Sequence, residues 1–295
     1  MLELQCLRLG TRPSPLATYQ SEHIATLLKQ QGYQGEIQQV KIASEGDVNA
    51  TAPLSEIGGK GVFIKSLEAA LLKEDCDIAV HSLKDVTAQL AEGTSLCQFY
   101  TEGHYRDCIA GFVPFAEMTH IASSSLRRRL FLKKHYPHLE CIDIRGNVGT
   151  RIQACEGKKM GVMLSEVGLI RLKMQRFCQH VFEPDLCIPA PGQGYIALQA
   201  KNSSVLPSAV HTISDEQTAF KAAFYMDLIN GLNFSCQIPL GAFLHEKAQG
   251  YTVNVVCGSK NLENEKRWEE SFVISDRDRV LAELIQQVQS WYTQS

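Results

Sequence analysis

The sequence predicts an α/β protein that carries a smaller α+β domain at its C-terminus. Three observations lead there. The chain has 295 residues, which at about 150 per domain makes two or three domains. Its first two-thirds alternate short β-rich runs with helical patterns, the signature of mainly parallel sheets covered on both faces. Its last third drops that alternation for a helix, a β-rich pair and a second helix.

Taken in order, Cys6–Gly10 reads as a strand, Pro15–Gln30 as a helix stopped near Gly32, and Glu36–Ile42 as a strand. Gly61–Lys73 reads as a helix because Val62, Phe63, Leu67, Ala70 and Leu71 share one face. Asp77–His81 is a short buried strand, followed by strands Leu96–Tyr100 and Cys108–Val113. The cycle repeats with strand His120–Ala122, helix Leu126–Tyr136, strand Cys141–Ile144, helix Thr150–Cys155, strand Gly161–Leu164 and helix Glu166–Phe177. Pro189-Ala-Pro-Gly-Gln-Gly194 reads as a domain crossing. Ser214-Asp-Glu-Gln217 has the capping-box pattern and opens a helix to about Ile229. Tyr251–Cys257 and Trp268–Ile274 read as an antiparallel pair, and Ser275-Asp-Arg-Asp278 caps a last amphipathic helix through Trp291. Ser44–Gly61 is long, polar and glycine-bearing, either a surface connection or a lid.

Composition narrows the function classes. Lys plus Arg is 29 and Asp plus Glu is 32, a net charge of −3, which excludes a generally basic polyelectrolyte binder and an acidic disordered tail. No apolar run approaches the roughly 18 residues of a membrane span, and Met1–Cys6 lacks the pattern of a secretory leader. A cytoplasmic, non-membrane protein is expected. The ten cysteines include no Cys-x-x-Cys pair and the histidines are scattered, so no structural metal is expected.

The charge is unevenly placed. Residues 121–180 carry twelve basic and four acidic side chains, +8, leaving −11 for the remainder. This marks a site for an anion. Ser123-Ser-Ser-Leu-Arg-Arg-Arg129 follows a strand and opens a helix, so its serines can cap the helix and donate to an anion beside free backbone N–H groups. Arg127 and Arg128 add forked donors suited to carboxylates or phosphates. Arg145-Gly-Asn-Val-Gly-Thr-Arg151 repeats the arrangement at the next strand end. Asp77-Ile-Ala-Val-His-Ser-Leu-Lys-Asp85 ends a strand in His81, Ser82, Lys84 and Asp85, at the carboxyl edge where open α/β sheets bind ligands. In this company Asp85 reads as a catalytic carboxylate.

Through these motifs the chain resembles the porphobilinogen deaminase (hydroxymethylbilane synthase) family over nearly its whole length. The resemblance also rests on Gly10-Thr-Arg-Pro-Ser-Pro-Leu-Ala17 with Gln20, Gly58-Gly-Lys-Gly-Val-Phe63, Arg106-Asp107, Gly168-Leu-Ile-Arg-Leu172, Pro189–Gly194 and Cys236-Gln-Ile-Pro-Leu-Gly-Ala242. It implies two periplasmic-binding-protein-like α/β domains around a cleft, 1–98 with 195–213 and 99–194, plus an α+β domain, 214–295. It implies an enzyme, a transferase, that condenses four porphobilinogen molecules head to tail with release of ammonia. The product, 1-hydroxymethylbilane, is an intermediate of tetrapyrrole (haem) biosynthesis. The implied cofactor is a dipyrromethane joined to Cys236 by a thioether. Cys236, Lys84, Ser82, Ser124, Ser125, Arg127, Arg128 and Arg145 match cofactor-binding positions. Arg12, Ser14, Gln20, Phe63, Arg145, Arg151 and Arg171 match positions that bind substrate. Asp85 is the implied catalytic group, and a monomer without nucleic-acid or membrane partners is expected.

The chain departs from the family pattern at several places. Thr87 stands for a proline, Ala122-Ser123 for Gly-Thr, Met160 for an aspartate, Phe224-Tyr225-Met226 for a stretch with an acid–arginine pair and Phe234-Ser235 for Gly-Gly before Cys236. The alternatives are a slowed or repurposed paralogue, an anion-binding module on the same two-lobed scaffold, and a nucleic-acid binder using the +8 region.

Overall fold

The computed structural model describes residues 5–44, 61, 64–233 and 238–295. In chain order it begins with β1 (Cys6–Thr11), α1 (Pro15–Gln30), β2 (Glu36–Lys41), α2 (Lys65–Leu72), β3 (Ile78–Ser82) and a 3-10 turn at Leu83–Asp85. Then come β4 (Thr94–Thr101), β5 (Asp107–Gly111), β6 (His120–Ala122), α3 (Leu126–His135), β7 (Glu140–Ile142), α4 (Val148–Gln153), β8 (Met160–Ser165), α5 (Glu166–Arg171), β9 (Cys178–Val181) and β10 (Tyr195–Lys201). The chain finishes with α6 (Glu216–Leu232), β11 (Leu240–Lys247), β12 (Gly250–Gly258), β13 (Glu265–Phe272) and α7 (Arg277–Gln294).

Contacts divide the chain into two units, Met1–Gly103 with Gly194–Ala223, and His104–Gln193 with Phe224–Ser295. The first holds a five-stranded sheet of order β2-β1-β3-β10-β4. β1 is parallel to β2 and β3, whereas β10 runs antiparallel to β3 and β4. Successive residues of β3 therefore serve opposite faces. Ile78 and Val80 pack with Ile24 and Leu28 of α1, and Ala79 packs with Leu67 and Leu71 of α2. Helix α1 starts where it does because Pro15 presets the first helical residue and the Ser14 hydroxyl accepts the Ala17 N–H at 3.3 Å.

The second unit repeats the plan with the order β7-β6-β8-β5-β9. β6 is parallel to β7 and β8, and β5 is antiparallel to β8 and β9. It also contains the three-stranded antiparallel sheet β11-β12-β13. One face of that sheet is covered by α7, which buries Val280, Leu281, Leu284 and Val288, with Trp291 edge-on to Trp268 at 5.9 Å.

Several expectations change. The helix expected over Glu166–Phe177 stops at Arg171, because Lys173 takes a left-handed conformation (φ 55°) and Cys178 starts an unforeseen edge strand. Strands β10 and β11 were also not foreseen; the cores that accept their apolar residues come from distant parts of the chain. The cap of α6 is Asp215, which accepts the Thr218 N–H at 2.6 Å, while the Ser214 hydroxyl is held by the Phe99 peptide on β4. The expected helix residues Val62 and Phe63, and most of Ser44–Gly61, lie outside the described residues.

In β8, Gly161 crosses the chain where no side chain fits. A Cβ there would sit 2.5 Å from Met118 Sδ and 2.7 Å from Ile109 Cγ2. Met118 can swing aside, but Ile109 is fully buried. Gly161→Ala is expected to cost about 1–3 kcal/mol, read as a lower urea midpoint at unchanged slope.

Candidate functional site

Parallel neighbours end at the same edge of a sheet, so topology alone gathers the turns that follow them. In the first unit, β1 leads into Arg12 and Ser14, and β3 leads into Ser82, Lys84 and Asp85. Arg12, Ser14, Ser82 and Lys84 are half-buried and Asp85 is exposed. Gln20, buried in α1, reaches across to this turn: its Nε2 lies 2.9 Å and its Oε1 3.2 Å from Ser82 Oγ.

His81, the residue before Ser82, points to the other face and is buried. Its Nε2 lies 2.9 Å from Gln199 Oε1 on β10. Burial is the main cause that lowers its pKa, to about 4; the Gln199 bond acts in the opposite direction and the nearby Arg12 charge adds to the lowering. His81 is therefore a neutral imidazole near pH 7.

In the second unit two turns share one edge, those after β6 (Ser124, Ser125, Arg127, Arg128) and β7 (Arg145, Arg151), while Arg171 ends α5, the helix that follows β8. Arg171 is buried, while Arg145 and Arg151 are half-buried. The Ser124 hydroxyl donates to Ile144 O at 2.5 Å and accepts from Ile144 N at 3.3 Å, locking the first turn to the second. Ser123 Oγ accepts the Ser125 N–H at 3.3 Å, and Ser125 at the helix start makes no side-chain cap. The expectation that these serines cap α3 is thus corrected: two of them are used to shape the turns. Gly146 (φ 104°) gives the next turn its left-handed residue, and its carbonyl accepts Arg151 Nε–H at 2.6 Å.

Arg127 and Arg128 occupy an arrangement the sequence did not disclose. Both are buried, and both point at Asp107, the first residue of β5, which is fully buried. Arg127 Nη1 donates to Asp107 Oδ2 at 2.6 Å and to Ile188 O at 2.8 Å. Arg128 places Nε and Nη2 on Asp107 Oδ1 at 3.1 and 2.7 Å, and Nη1 on Met163 O at 3.1 Å. Gln193 Nε2 adds a bond to Oδ1 at 2.9 Å. Burial by itself would raise the Asp107 pKa, but the two guanidinium charges outweigh it and hold the carboxyl well below its ordinary range. Cys187, whose thiol burial pushes up, stays protonated and lies 3.5 Å from Oδ2.

The missed residues Asp107 and Gln193 lay inside the motifs Arg106-Asp107 and Pro189–Gly194; only their partners were hidden. The departures at Phe224, Tyr225 and Met226 are core residues. Phe224 stacks on Phe272, and the Tyr225 hydroxyl accepts the Leu244 N–H at 2.9 Å. Met160 likewise joins the apolar core beneath β8. Phe63, Phe234, Ser235 and Cys236 lie outside the described residues.

This donor set suits a ligand bearing several carboxylates. Two guanidinium groups face one buried carboxylate, an excess of one positive charge. On the same edge Arg145 Nη1 is buried without a hydrogen-bond partner among the described residues, and an anionic oxygen would satisfy it.

Comparison with known proteins agrees with this chemistry. A family model described as porphobilinogen deaminase, dipyrromethane cofactor binding domain, matches residues 7–206. The porphobilinogen deaminase of Dichelobacter nodosus is 35% identical over 246 residues, 81% of each chain. That of Campylobacter concisus is 33% identical over 260 residues, 85% of this chain and 84% of its own. That of Streptococcus sanguinis is 33% identical over 269 residues, 88% of both. Among solved structures, the BvgS periplasmic VFT2 domain of Bordetella pertussis aligns over 75% of this chain and 93% of its own at 14% identity and a TM-score of 0.38, too distant to carry an inference.

Replacing Asp107 with Asn leaves two guanidinium groups buried against a neutral amide, and is expected to cost about 3–5 kcal/mol. The native carboxyl titrates below its unfolded value of about 3.9. Its stabilisation is therefore complete above that value and drains as pH falls beneath it. Urea midpoints measured from pH 7 to pH 3 should show this acid loss in the native protein, and a smaller loss in Asp107→Asn.

Proposed function

The chain belongs to the porphobilinogen deaminase family, and from that premise we propose which of its residues perform the reaction. The activity is the head-to-tail condensation of four porphobilinogens to 1-hydroxymethylbilane in tetrapyrrole (haem) biosynthesis, with a dipyrromethane cofactor. We assign the enzyme to the transferases and place it in the cytoplasm as a monomer. The described cysteines are all free thiols, which supports a reducing compartment, and no described helix is long and apolar enough to cross a membrane. Three separate sheets support three domains, expected at 1–98 with 195–213, 99–194 and 214–295, although β4 carries the first sheet on to Thr101.

When bound, the dipyrromethane supplies the primer to which substrate pyrroles are added. Cys236 is our assignment for its thioether. Its acidic groups are assigned to Arg145, to the part of Arg127 and Arg128 not spent on Asp107, and to Ser125 with the first N–H groups of α3. Ser124 acts by holding the turn that carries Arg145. Ser82 and Lys84 are assigned to the cofactor as further donors. Each pyrrole brings an acetate and a propionate, so the growing product needs further cations, and Arg12, Arg151 and Arg171 fill that role with Ser14 and Gln20. Phe63 is assigned to stack on a pyrrole.

Each addition breaks the aminomethyl C–N bond of a porphobilinogen, releases ammonia, and joins its methylene carbon to the free α-carbon of the preceding pyrrole. That α-carbon then loses its proton. Asp85 is placed to hold the departing amine and to offset the positive charge left on the methylene carbon. Its exposed position at the tip of the turn, next to a cation at Lys84, suits a carboxylate that must meet an incoming substrate.

The observation that carries this reading is the buried Nη1 of Arg145, which has no hydrogen-bond partner among the described residues, on an edge already in cationic excess. The purified protein should be heavier than its sequence by one dipyrromethane, and incubation with porphobilinogen should add further pyrrole increments. Cys236→Ala should remove the first increment, and Arg145→Leu should lower the fraction of protein that carries it. Asp85→Asn should keep the cofactor and lose about 100-fold or more in kcat. A folded protein that never gains mass at Cys236 refutes the assignment.

A further inference from the structure

The turn that carries Lys84 and Asp85 hangs from the last two residues of β3, and each of these is gripped from a different face of the sheet. Ser82 is held from the α1 side by Gln20. His81 is held from the α2 side by a chain of buried polar groups that the reaction described above does not use. Gln199 is fully buried on β10, Glu68 is buried on α2, and Thr94 is buried on β4.

The hydrogen bonds in this chain admit one assignment. Gln199 Nε2 donates to Glu68 Oε1 at 2.9 Å and to Thr94 Oγ1 at 2.7 Å. Thr94 Oγ1 spends its own proton on Ala91 O at 2.7 Å, and Glu68 Oε1 also accepts the Ala91 N–H at 2.8 Å. Both amide hydrogens of Gln199 are therefore used. Its Oε1 is left to accept, so the proton between it and His81 sits on the imidazole Nε2. The Nδ1 atom then carries the lone pair.

We propose that Gln199 is a positioning residue for Asp85, acting through His81: it fixes one imidazole tautomer and, with Glu68 and Thr94, ties the end of β3 to α2 and β4. The inference rests on the assignment of Asp85 as the catalytic carboxylate. A glutamine suits the position because an amide donates and accepts at once. A glutamate there would accept at both ends, set two carboxylates side by side and attract a proton to His81. Among the described residues the charged groups around His81 are Arg12 on the β1–α1 turn, Glu68 reached through Gln199, and Lys84 with Asp85 on its own turn. β10 and β4 contribute only the neutral Gln199 and Thr94. An imidazolium would add a positive charge beside Arg12.

Two variants of the cofactor-loaded enzyme test this. Gln199→Met keeps length and loses both polar ends. It should lower kcat about 10- to 100-fold while KM stays within about twofold, the response to a displaced reacting group. The exchange Glu68→Gln with Gln199→Glu keeps the number of carboxylates and swaps their places. It should melt close to the wild type, yet the acid limb of its kcat profile and the 15N titration of His81 should both move to higher pH, because a carboxylate now faces the imidazole. A purely structural contact would be rescued by the exchange with the acid limb of kcat unmoved while His81 titrates higher, and that result overturns the proposal. So does Gln199→Met with wild-type kcat. Asp85→Asn is measured in parallel: if it turns over normally, the Asp85 assignment falls and this proposal with it, whereas an inactive Asp85→Asn beside an unimpaired Gln199→Met overturns this proposal alone.

Discussion

Everything on the arginine-rich edge depends on one buried carboxylate. Two guanidinium groups cannot be taken out of water at the start of α3 without a counter-charge, and Asp107 provides it from the neighbouring strand. The price is paid in desolvation, and it secures geometry: the fork of Arg128 spans one oxygen, Arg127 takes the other, and both also reach backbone carbonyls. The start of α3 is thereby fixed relative to β5 and β8. Among these three groups one positive charge is left over, and the contact that stabilises the turn keeps that charge at the start of α3.

Buried amides perform a related task. Gln20, Gln193 and Gln199 are all nearly or fully buried, and each links elements far apart in the chain. A side-chain amide can bridge a donor and an acceptor without bringing a charge into the interior. Gln193 donates both to Asp107 and to the Tyr105 carbonyl. Gln20 and Gln199 hold consecutive residues of β3 from opposite faces. The turns after β3 and before β5 are short and polar, and these links hold them from behind.

Much of this was legible in the chain. The parallel strands β1, β3, β6, β7 and β8 announce themselves as short apolar runs followed by glycine- or serine-bearing turns, and their order places the turns on common edges. Helix α1 declares both of its ends. The strands that were not foreseen, β9, β10 and β11, share a physical reason. Each is recognised by a partner that lies elsewhere in sequence: β9 by β5, β10 by β3 and β4, and β11 by β12. Pairing of that kind leaves only a weak local trace.

By itself the sequence determined the family and the residue types of its motifs, the arginines, serines and aspartate set close after strands, because such motifs are local. Tertiary structure decided how those residues are used. Arg127 and Arg128 look alike and free in the sequence, and only the arrival of Asp107 from another strand shows how much of each is already spent. Ser124 looks like a donor to ligand, and the Ile144 peptide takes it. His81 looks ready to titrate near neutrality, and burial against Gln199 leaves it neutral. Charge and hydrogen-bonding capacity belong to a residue, whereas the partner that consumes them is chosen by folding.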